Sequence, residues 1–517
     1  MEPLDPQLDF RLDPQLDSLA CHRAVAARDA RFDGRLFVGV TTTGIYCRPV
    51  CPARTPRPEN CRFFASAAAA QEAGFRPCLR CRPETAPDLG AWLGTSNTVS
   101  RGLALIADGA LDAEDASVEA LAERLGVGGR QLRRLFRQHL GASPIAVAQT
   151  RRVLFAKQLI HETRMPMAEI ALAAGFGSLR RFNETFRQLY GRPPGSLRRS
   201  AAALPEGACA ETGVMLRLRY QPPYDWAAML SHLAGRAVEG VEVVEGGTYR
   251  RTVLVDGLLG SVEVGHLPEA RSLVATIRFP CLRALPGIVA RLRRAFDLGA
   301  DVGAIAAHLA RDPLLAPLVA ERPGLRVPGG WDGFELGVRA VLGQQVSVEA
   351  ARRLAGRLTA LCGTPVPPER RHHTALRAAF PTAAQVAGAD LAALRMPGAR
   401  KAALAALAAA AEADPRLFAP AGSAEETVAR LRAIPGIGEW TAQYIALRAV
   451  RETDAFPASD VGLLRGAAGT AGRRPSPAEL RGQAEPWRPW RAYAAQHLWA
   501  ADAASIAARA AAGQAHG

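Results

Sequence analysis

No hydrophobic run in the 517-residue chain approaches the roughly 18 residues that a membrane-spanning helix requires. The alanine-rich stretch 402–411 is short and lies between Lys401 and Glu412. The acidic N-terminus also lacks the apolar segment of a secretory signal peptide. These absences argue against a membrane-embedded or exported protein and predict a cytoplasmic one.

Cysteine is sparse as well, with nine residues in the whole chain. Four of them form two closely spaced pairs, and the remaining five are scattered: Cys21, Cys61, Cys209, Cys281 and Cys362. An odd and scattered set of this kind does not make a disulfide framework and is typical of a reducing compartment.

Acidic residues are fewer than basic ones: the chain has 49 Asp and Glu against 64 Lys and Arg, which gives a net charge of +15. This excess favours a polyanionic partner, and on charge alone either nucleic acid or an anionic membrane surface fits. The length allows three or four domains, each with its own core.

The two cysteine pairs have the spacing of a metal site. Cys47 and Cys51 are separated by three residues, and Cys78 and Cys81 by two. Four thiolates so arranged can bind one tetrahedral Zn²⁺, which supplies folding free energy on the order of 10 kcal/mol to a small domain. A purely structural zinc fits this spacing as well as a reactive one does.

Four segments around these cysteines have a distinctive sequence: 37–40, 43–49, 51–54 and 73–78. Through them, residues 32–83 resemble the N-terminal domain of the bacterial adaptive-response regulator Ada. The resemblance implies that all four cysteines bind the zinc and that Cys47 also takes a methyl group irreversibly from a DNA methylphosphotriester. Methylation would remove one negative charge from the cluster, reduce repulsion from DNA phosphate and so act as a switch.

The pattern becomes helical after residue 88. Ser117 can cap one helix, Gly126 can end it, and a second helix follows at helix-turn-helix spacing. The pattern recurs with Ser178 as the cap, and residues 136–138 reappear fifty positions later as 186–188. Two such units joined by a helix across residues 145–162 resemble the AraC-family DNA-binding domain.

This resemblance implies recognition helices at 128–139 and 178–190, set in successive major grooves of double-stranded DNA. The outward residues that could reach bases or phosphates are Arg130, Gln131, Arg133 and Arg134 in the first helix and Arg180, Arg181 and Asn183 in the second. Arginines on a helix face are often only a solvated surface, so this alternative stays open for each of them.

Residues 201–211 are small, contain Pro and Gly, and are typical of a linker. Apolar and polar residues then alternate in four segments, which predicts an antiparallel sheet with one covered face. The segments are 214–220, 249–255, 261–264 and 272–278. Helical periodicity returns from Ile288 and dominates to the end.

A Pro-Gly-apolar-Gly turn lies between two predicted helices and consists of Pro435, Gly436, Ile437 and Gly438. Such a turn exposes backbone N–H groups that can hold a DNA phosphate without reading sequence. It resembles the helix-hairpin-helix of base-excision glycosylases, which need a carboxylate downstream, where Asp460 stands. Asp454 is the nearest competitor and fits the family pattern less well. Asp460 could also be the cap of a helix that starts at residue 461.

The resemblance extends over residues 213–500 to AlkA-type 3-methyladenine DNA glycosylases II. It is carried by the segments 220–226, 295–298, 322–329, 337–347 and 487–493. It implies that Asp460 is the catalytic carboxylate and that Trp440, Tyr444 and Trp499 form an aromatic pocket for cationic alkylated purines. Gln345 occupies the position of the leucine that wedges into the DNA stack in this family. Ordinary core packing is the alternative for the three aromatic residues.

Bifunctional relatives carry a lysine in the hairpin, where this sequence has Trp440. Without an amine there, we expect no Schiff-base strand cleavage and a monofunctional enzyme. No C-terminal cysteine set for an iron–sulfur cluster is present either, so no cofactor is expected in this part of the chain.

The sequence therefore predicts a multidomain α+β protein of four parts. These are a small zinc domain at 19–90, an all-α double helix-turn-helix domain at 95–200, an α+β subdomain with an antiparallel sheet at 213–330 and an all-α helix-hairpin-helix domain at 331–502. We expect a disordered tail at 1–18, a linker at 201–212 and an alanine-rich tail at 503–517. The expected partners are alkylated DNA, promoter DNA and RNA polymerase, with no membrane contact and a monomeric state.

The predicted function is an alkylation-response protein that combines a methylation-switched transcriptional activator with an alkylpurine DNA glycosylase. Two alternatives stay open. The zinc and helix-turn-helix parts could serve only to target the glycosylase to damaged DNA, or the chain could be a DNA-binding regulator whose glycosylase fold is inactive.

Overall fold

The structure, a computed structural model, describes residues 18–87, 97–112, 116–198, 213–419, 423–468 and 473–514. The predicted linker 201–212 and all but the last residue of the predicted tail 1–18 lie outside these ranges. The chain divides into two compact units. The first ends at Tyr220 and also includes Cys281–Ala290; the second comprises Gln221–Pro280 and the chain from Arg291 onward.

The first unit begins with a small sheet and two helices. Its elements are α1 (Ser18–Ala26), β1 (Phe37–Val40), β2 (Ile45–Cys47), β3 (Cys61–Phe64), α2 (Ala67–Glu72) and β4 (Arg76–Pro77). The strand order is β3-β1-β2-β4, with β1 antiparallel to both neighbours and β4 parallel to β2. Gly39 allows close packing on β1, since a Cβ there would lie 2.8 Å from the ring of Phe64. The β1–β2 hairpin places Cys47 opposite Val38.

Six helices follow in the order predicted for two helix-turn-helix units. They are α3 (Asn97–Ala107), α4 (Val118–Arg124), α5 (Gly129–Leu140), α6 (Pro144–Glu162), α7 (Met167–Ala173) and α8 (Leu179–Tyr190). Ser117 and Ser178 cap α4 and α8 as predicted, because each hydroxyl oxygen accepts from a backbone N–H in the first turn. Helices α5 and α8 both end at a glycine with positive φ, Gly141 at 69° and Gly191 at 67°. These matching ends agree with the internal repeat.

The second unit contains an antiparallel sheet in the order β9-β8-β7-β6. The strands after residue 198 are β5 (Val214–Arg219), which belongs to the first unit, then β6 (Glu242–Glu245), β7 (Thr248–Val255), β8 (Leu258–Leu267), β9 (Ser272–Arg278), β10 (Thr364–Pro365) and β11 (Ala378–Ala379). The four predicted strands are confirmed, although β8 is longer than expected. β6 and the β10–β11 pair were not predicted, because two to four residues are too few for alternation to show.

Helices dominate the rest of the chain, as the periodicity predicted. They are α9 (Trp226–Arg236), α10 (Leu285–Ala295), α11 (Val302–Leu309), α12 (Leu315–Glu321), α13 (Gly333–Leu342), α14 (Val348–Cys362), α15 (Ala383–Ala387), α16 (Gly398–Ala413), α17 (Ala424–Arg432), α18 (Glu439–Ile445), α19 (Val461–Gly466), α20 (Pro477–Gln483) and α21 (Arg491–Gln514). A π-helical turn, Ala446–Val450, continues α18. The alanine-rich stretch predicted as a tail is helical as far as Gln514. No helix among the described residues is long and apolar enough to cross a membrane.

Candidate active site and metal centre

The four predicted zinc ligands come together beside β2 and β4. Cys47 ends β2 and Cys78 directly follows β4. Cys51 and Cys81 complete the set, and the four Sγ atoms lie within 4.8 Å of one another. A tetrahedral site with Zn–S bonds of about 2.3 Å needs sulfur atoms about 3.8 Å apart, so these four cysteines fit one zinc ion. The backbone N–H of Arg48 donates to Cys81 Sγ at 3.4 Å, which helps to stabilise a thiolate there.

Cys47 is the most accessible of the four. Cys51, Cys78 and Cys81 are buried, with relative exposures of 8 %, 6 % and 7 %, whereas Cys47 is only half-buried. Cys47 is thus the cluster residue with the largest exposed fraction.

A buried cation from α6 lies against this cluster. Lys157 Nζ donates to the carbonyl oxygen of Cys78 at 2.9 Å and pairs with Glu84 Oε2 at 2.7 Å. Neither charged side chain is more than 1 % exposed. Burial would raise the pKa of Glu84, but the charges of Lys157 and, to a smaller extent, Arg82 outweigh this and lower it. The pair connects the metal cluster to the helix between the two helix-turn-helix units, a contact that no local sequence pattern could reveal.

Most residues predicted to contact DNA through the recognition helices are exposed on α5 and α8. The exposed ones are Arg130, Gln131, Arg133, Arg134, Arg180 and Arg181, and Asn183 is half-buried. Arg133 pairs with Glu119 at 2.6 Å and Arg180 with Glu184 at 2.9 Å. Exposed ion pairs of this type contribute little stability, so these arginines can exchange their partners for phosphate at small cost.

The predicted hairpin turn joins α17 to α18 and requires glycine at position 436. Gly436 has φ of 83°, and a Cβ there would lie 2.4 Å from Cβ of Ala403 on α16. Gly438 is the N-cap of α18, Ile437 is buried and Pro435 is exposed. The turn is therefore fixed in shape by the helix packed beneath it.

Gln345 lies in the loop between α13 and α14. It is exposed and has φ of 57°, a left-handed conformation that is uncommon for a residue other than glycine. The preceding Gln344 donates from Nε2 to the carbonyl oxygen of Gly436 and to Oγ1 of Thr441, both at 3.1 Å. These bonds anchor the loop that carries Gln345 to the hairpin.

The carboxylate of Asp460 is held by three donors. Oδ2 accepts from Trp440 Nε1 at 2.8 Å, and Oδ1 accepts from Trp499 Nε1 at 2.8 Å. Oδ1 also accepts from the backbone N–H of Leu463 at 3.0 Å, so Asp460 caps α19 as predicted. Hydrogen bonds to a charged acceptor are strong, and together they fix the orientation of this carboxylate.

The three predicted pocket residues form one aromatic cluster around Asp460. The rings of Trp440 and Tyr444 stack with their centres 5.3 Å apart, and Trp499 meets Tyr444 edge-on at 6.3 Å. All three are half-buried, whereas Trp487 in the nearby core is only 1 % exposed. Core packing alone therefore does not account for them, because part of each side chain is open to solvent.

A buried guanidinium lies against two of these rings, and the sequence analysis did not predict it. Arg448, from the π-helical turn, has Cζ 5.3 Å from the ring centre of Tyr444 and 4.9 Å from that of Trp499. Burial lowers the pKa of Arg448 to about 10, so it stays protonated at neutral pH.

Asp454, the alternative to Asp460 as the catalytic carboxylate, is paired with Arg488 and Arg491, each through Nε at 2.7 Å.

Three family models match the chain: the metal binding domain of Ada over residues 20–84, a helix-turn-helix domain over 121–200 and the AlkA N-terminal domain over 215–332. Over 482 residues the chain is 44 % identical to the probable bifunctional transcriptional activator/DNA repair enzyme AlkA of Mycobacterium tuberculosis. The match covers 93 % of this chain and 95 % of that protein. The chain belongs to this family.

Two further relatives match separate parts of the chain. DNA-3-methyladenine glycosylase 2 of Escherichia coli is 38 % identical over 288 residues, which are 55 % of this chain and 96 % of that protein. The bifunctional transcriptional activator/DNA repair enzyme Ada of Escherichia coli is 35 % identical over 154 residues, 30 % of this chain and 41 % of that protein. The resemblances to Ada and AlkA, the multidomain α+β class and the single four-cysteine zinc site are thus confirmed.

Proposed function

We propose that the chain senses DNA alkylation, activates transcription in response and excises alkylated purines. The excision activity rests on one observation above all: the Asp460 carboxylate is held between the indole N–H groups of Trp440 and Trp499, beside rings that remain partly open. This arrangement places a fixed negative charge next to a surface that can bind a cationic base.

Excision begins when the damaged nucleotide leaves the duplex, at a cost of a few kcal/mol. A cationic base such as 3-methyladenine or 7-methylguanine is then attracted to the rings of Trp440, Tyr444 and Trp499 by about 0.5–2 kcal/mol. As the glycosidic C–N bond breaks, its electrons go to the departing base and positive charge develops on the sugar. Asp460 stabilises that charge and orients or deprotonates the attacking water.

The lysine inventory supports a monofunctional enzyme. The whole chain has two lysines, Lys157 and Lys401. Lys157 is buried in the first unit, and Nζ of Lys401 donates to the carbonyl oxygen of Ala392 at 3.0 Å. Trp440 stands where a lysine would be needed for Schiff-base strand cleavage, so the product should be an abasic site in an intact strand.

The first unit would act as the sensor. A zinc ion held by the four cysteines would keep their sulfur atoms ionised at neutral pH. Cys47 Sγ attacks the methyl carbon of a phosphotriester, an S–C bond forms, the C–O bond breaks, and the phosphate leaves as a diester anion. The cluster then carries one negative charge less, which favours binding to DNA.

The sensor unit and the glycosylase unit would each bind DNA through their own elements. Helices α5 and α8 would enter successive major grooves of promoter DNA, and the hairpin 435–438 would hold a phosphate of damaged DNA. Gln345, at the wedge position, would enter the space left by the extruded nucleotide. We further propose that the protein is a cytoplasmic monomer that recruits RNA polymerase.

Two measurements separate this proposal from its alternatives. Sequence-specific protection of a promoter by the methylated chain supports a regulator, and protection without sequence preference would favour a damage-targeting clamp. Release of methylated purines from duplex DNA supports an active glycosylase, and its absence would favour a regulator with an inactive fold.

A further inference from the structure

A second carboxylate lies close to Asp460 in the second unit. Asp502, on α21, is only 8 % exposed. A Cβ on Gly462 would lie 3.1 Å from Asp460 Oδ1 and 3.3 Å from Asp502 Oδ2, so both oxygens border the same small space. Two carboxylates this close disfavour each other's ionised form unless a cation offsets one of them.

Arg465 supplies that cation. Its Nε donates to Asp502 Oδ1 and its Nη2 to Asp502 Oδ2, each at 2.7 Å, in a bidentate pair between α19 and α21. Asp502 and, more weakly, Asp460 both raise the pKa of Arg465. The guanidinium is therefore close enough to respond to both carboxylates, although it is bonded to only one of them.

We propose that Arg465 and Asp502 are positioning residues whose opposite charges balance beside the Asp460 carboxylate, so that loss of either charge alone changes the pH dependence of base excision. Because the pair acts through Asp460, this role depends on the proposed glycosylase function. Neither residue needs to contact the damaged base.

The other groups that face Asp460 do not compensate for loss of the pair. From α18 they are the indole of Trp440 and the phenol of Tyr444, and from α21 the indole of Trp499. Indoles carry no titratable charge, and a phenol does not titrate in the acid range. Two arginines, Arg448 and Arg236, interact with Tyr444, and Arg448 stays protonated throughout the acid range. These two arginines act on Tyr444, whereas Asp502 borders Asp460 and Arg465 interacts with Asp460 itself.

The test is the pH dependence of kcat/KM for release of 7-methylguanine from duplex DNA by the full chain, with blanks lacking protein. The acid limb is the part of this profile in which kcat/KM falls at low pH. Arg465→Gln leaves the Asp502 charge unbalanced, so the acid limb should move to higher pH by roughly 0.5–1 unit. Asp502→Asn leaves the Arg465 charge unbalanced, so the limb should move to lower pH. The double variant should return close to the parent.

Two controls separate charge from structure. Arg465→Lys keeps the charge and should keep the parental limb even if kcat falls. Arg473→Gln removes an exposed arginine that pairs with Glu479 in the same unit, and it should leave the limb unmoved. A merely structural role would lower activity at every pH without opposite shifts. If Asp502→Asn fails to fold, the contrast between Arg465→Gln and Arg465→Lys still decides, since Arg465 is 44 % exposed.

If the acid limb lies at the same pH for the parent, Arg465→Gln and Asp502→Asn, the positioning role of the pair is overturned and the glycosylase proposal stands. Absence of base release by the parent at any pH would overturn both.

Discussion

The indole N–H of Trp440 and the carboxylate of Asp460 are joined by a hydrogen bond of 2.8 Å. The same indole stacks on Tyr444, so a single side chain forms one wall of the aromatic pocket and also orients the proposed catalytic group. Binding of the base and positioning of the carboxylate are thus coupled through one residue, and the two contributions can be separated by substitution.

Trp440→Phe keeps an aromatic wall but removes the donor. A hydrogen bond to a charged group contributes about 1.5–3 kcal/mol, so kcat for base release should fall roughly 10–100-fold with a smaller change in KM. Trp226→Phe is the matched control, because it removes an indole bond to the carbonyl oxygen of Gly247 in the same unit. Parental kcat in Trp440→Phe would show that the bond does not position Asp460.

Cys47→Ser should abolish methyl uptake from methylphosphotriester DNA, because a serine hydroxyl is not ionised at neutral pH. Transcriptional induction should be lost with it, whereas base excision by the second unit should stay near the parental rate. Mass spectrometry of the alkylated chain and a reporter assay measure the two effects. Cys61→Ser is the control, since Cys61 is outside the four-sulfur cluster. Unchanged induction in Cys47→Ser would rule out the methylation switch.

Lys157→Met removes the buried cation and leaves Glu84 paired only with the partly exposed Arg82, whose Nε donates to Glu84 Oε1 at 3.0 Å. Breaking a buried ion pair from one side typically destabilises a protein by about 3–5 kcal/mol, so unfolding of the first unit should shift to lower temperature and zinc should be lost faster to a chelator. The double variant Lys157→Met with Glu84→Gln should recover much of this loss. Equal stability of the single variant and the parent would contradict a structural link between α6 and the metal cluster.

His497 makes the stability of the second unit depend on pH. Burial lowers its pKa to about 4, against roughly 6.5 in an unfolded chain. The unfolded state therefore binds more protons between these values. The contribution of neutral His497 to the free energy of unfolding is fully present above about pH 6.5. It is lost as pH falls toward 4, by on the order of 3 kcal/mol in total. In His497→Asn, denaturant unfolding should show a shallower pH dependence across this window; an unchanged slope would exclude His497 as its source.

Features encoded in a short stretch of chain could be predicted from the sequence. The zinc ligands follow from the spacing of Cys47, Cys51, Cys78 and Cys81, and both helix-turn-helix units follow from the capping serines Ser117 and Ser178. Asp460 and the three pocket aromatics were predicted through resemblance, and the structure brings all four together.

Contacts between distant segments could not be predicted in this way. Lys157 meets Glu84 from 73 positions away, and Arg465 meets Asp502 from 37. In the sequence Arg448 resembles any other helical arginine, and only the fold shows that its guanidinium lies against the rings of Tyr444 and Trp499. Each of these charges is defined by its partner in space, and periodicity and spacing carry no information about that partner.

Release of free 3-methyladenine and 7-methylguanine from methylated duplex DNA by the purified chain, measured beside Asp460→Asn, tests the proposed repair function most directly. We expect release by the parent, no release by Asp460→Asn, and equal binding of lesion DNA by both, since the substitution keeps the shape of the side chain. Release by Asp460→Asn at the parental rate would remove Asp460 from its role, and no release by either would show that the second unit is not a working glycosylase.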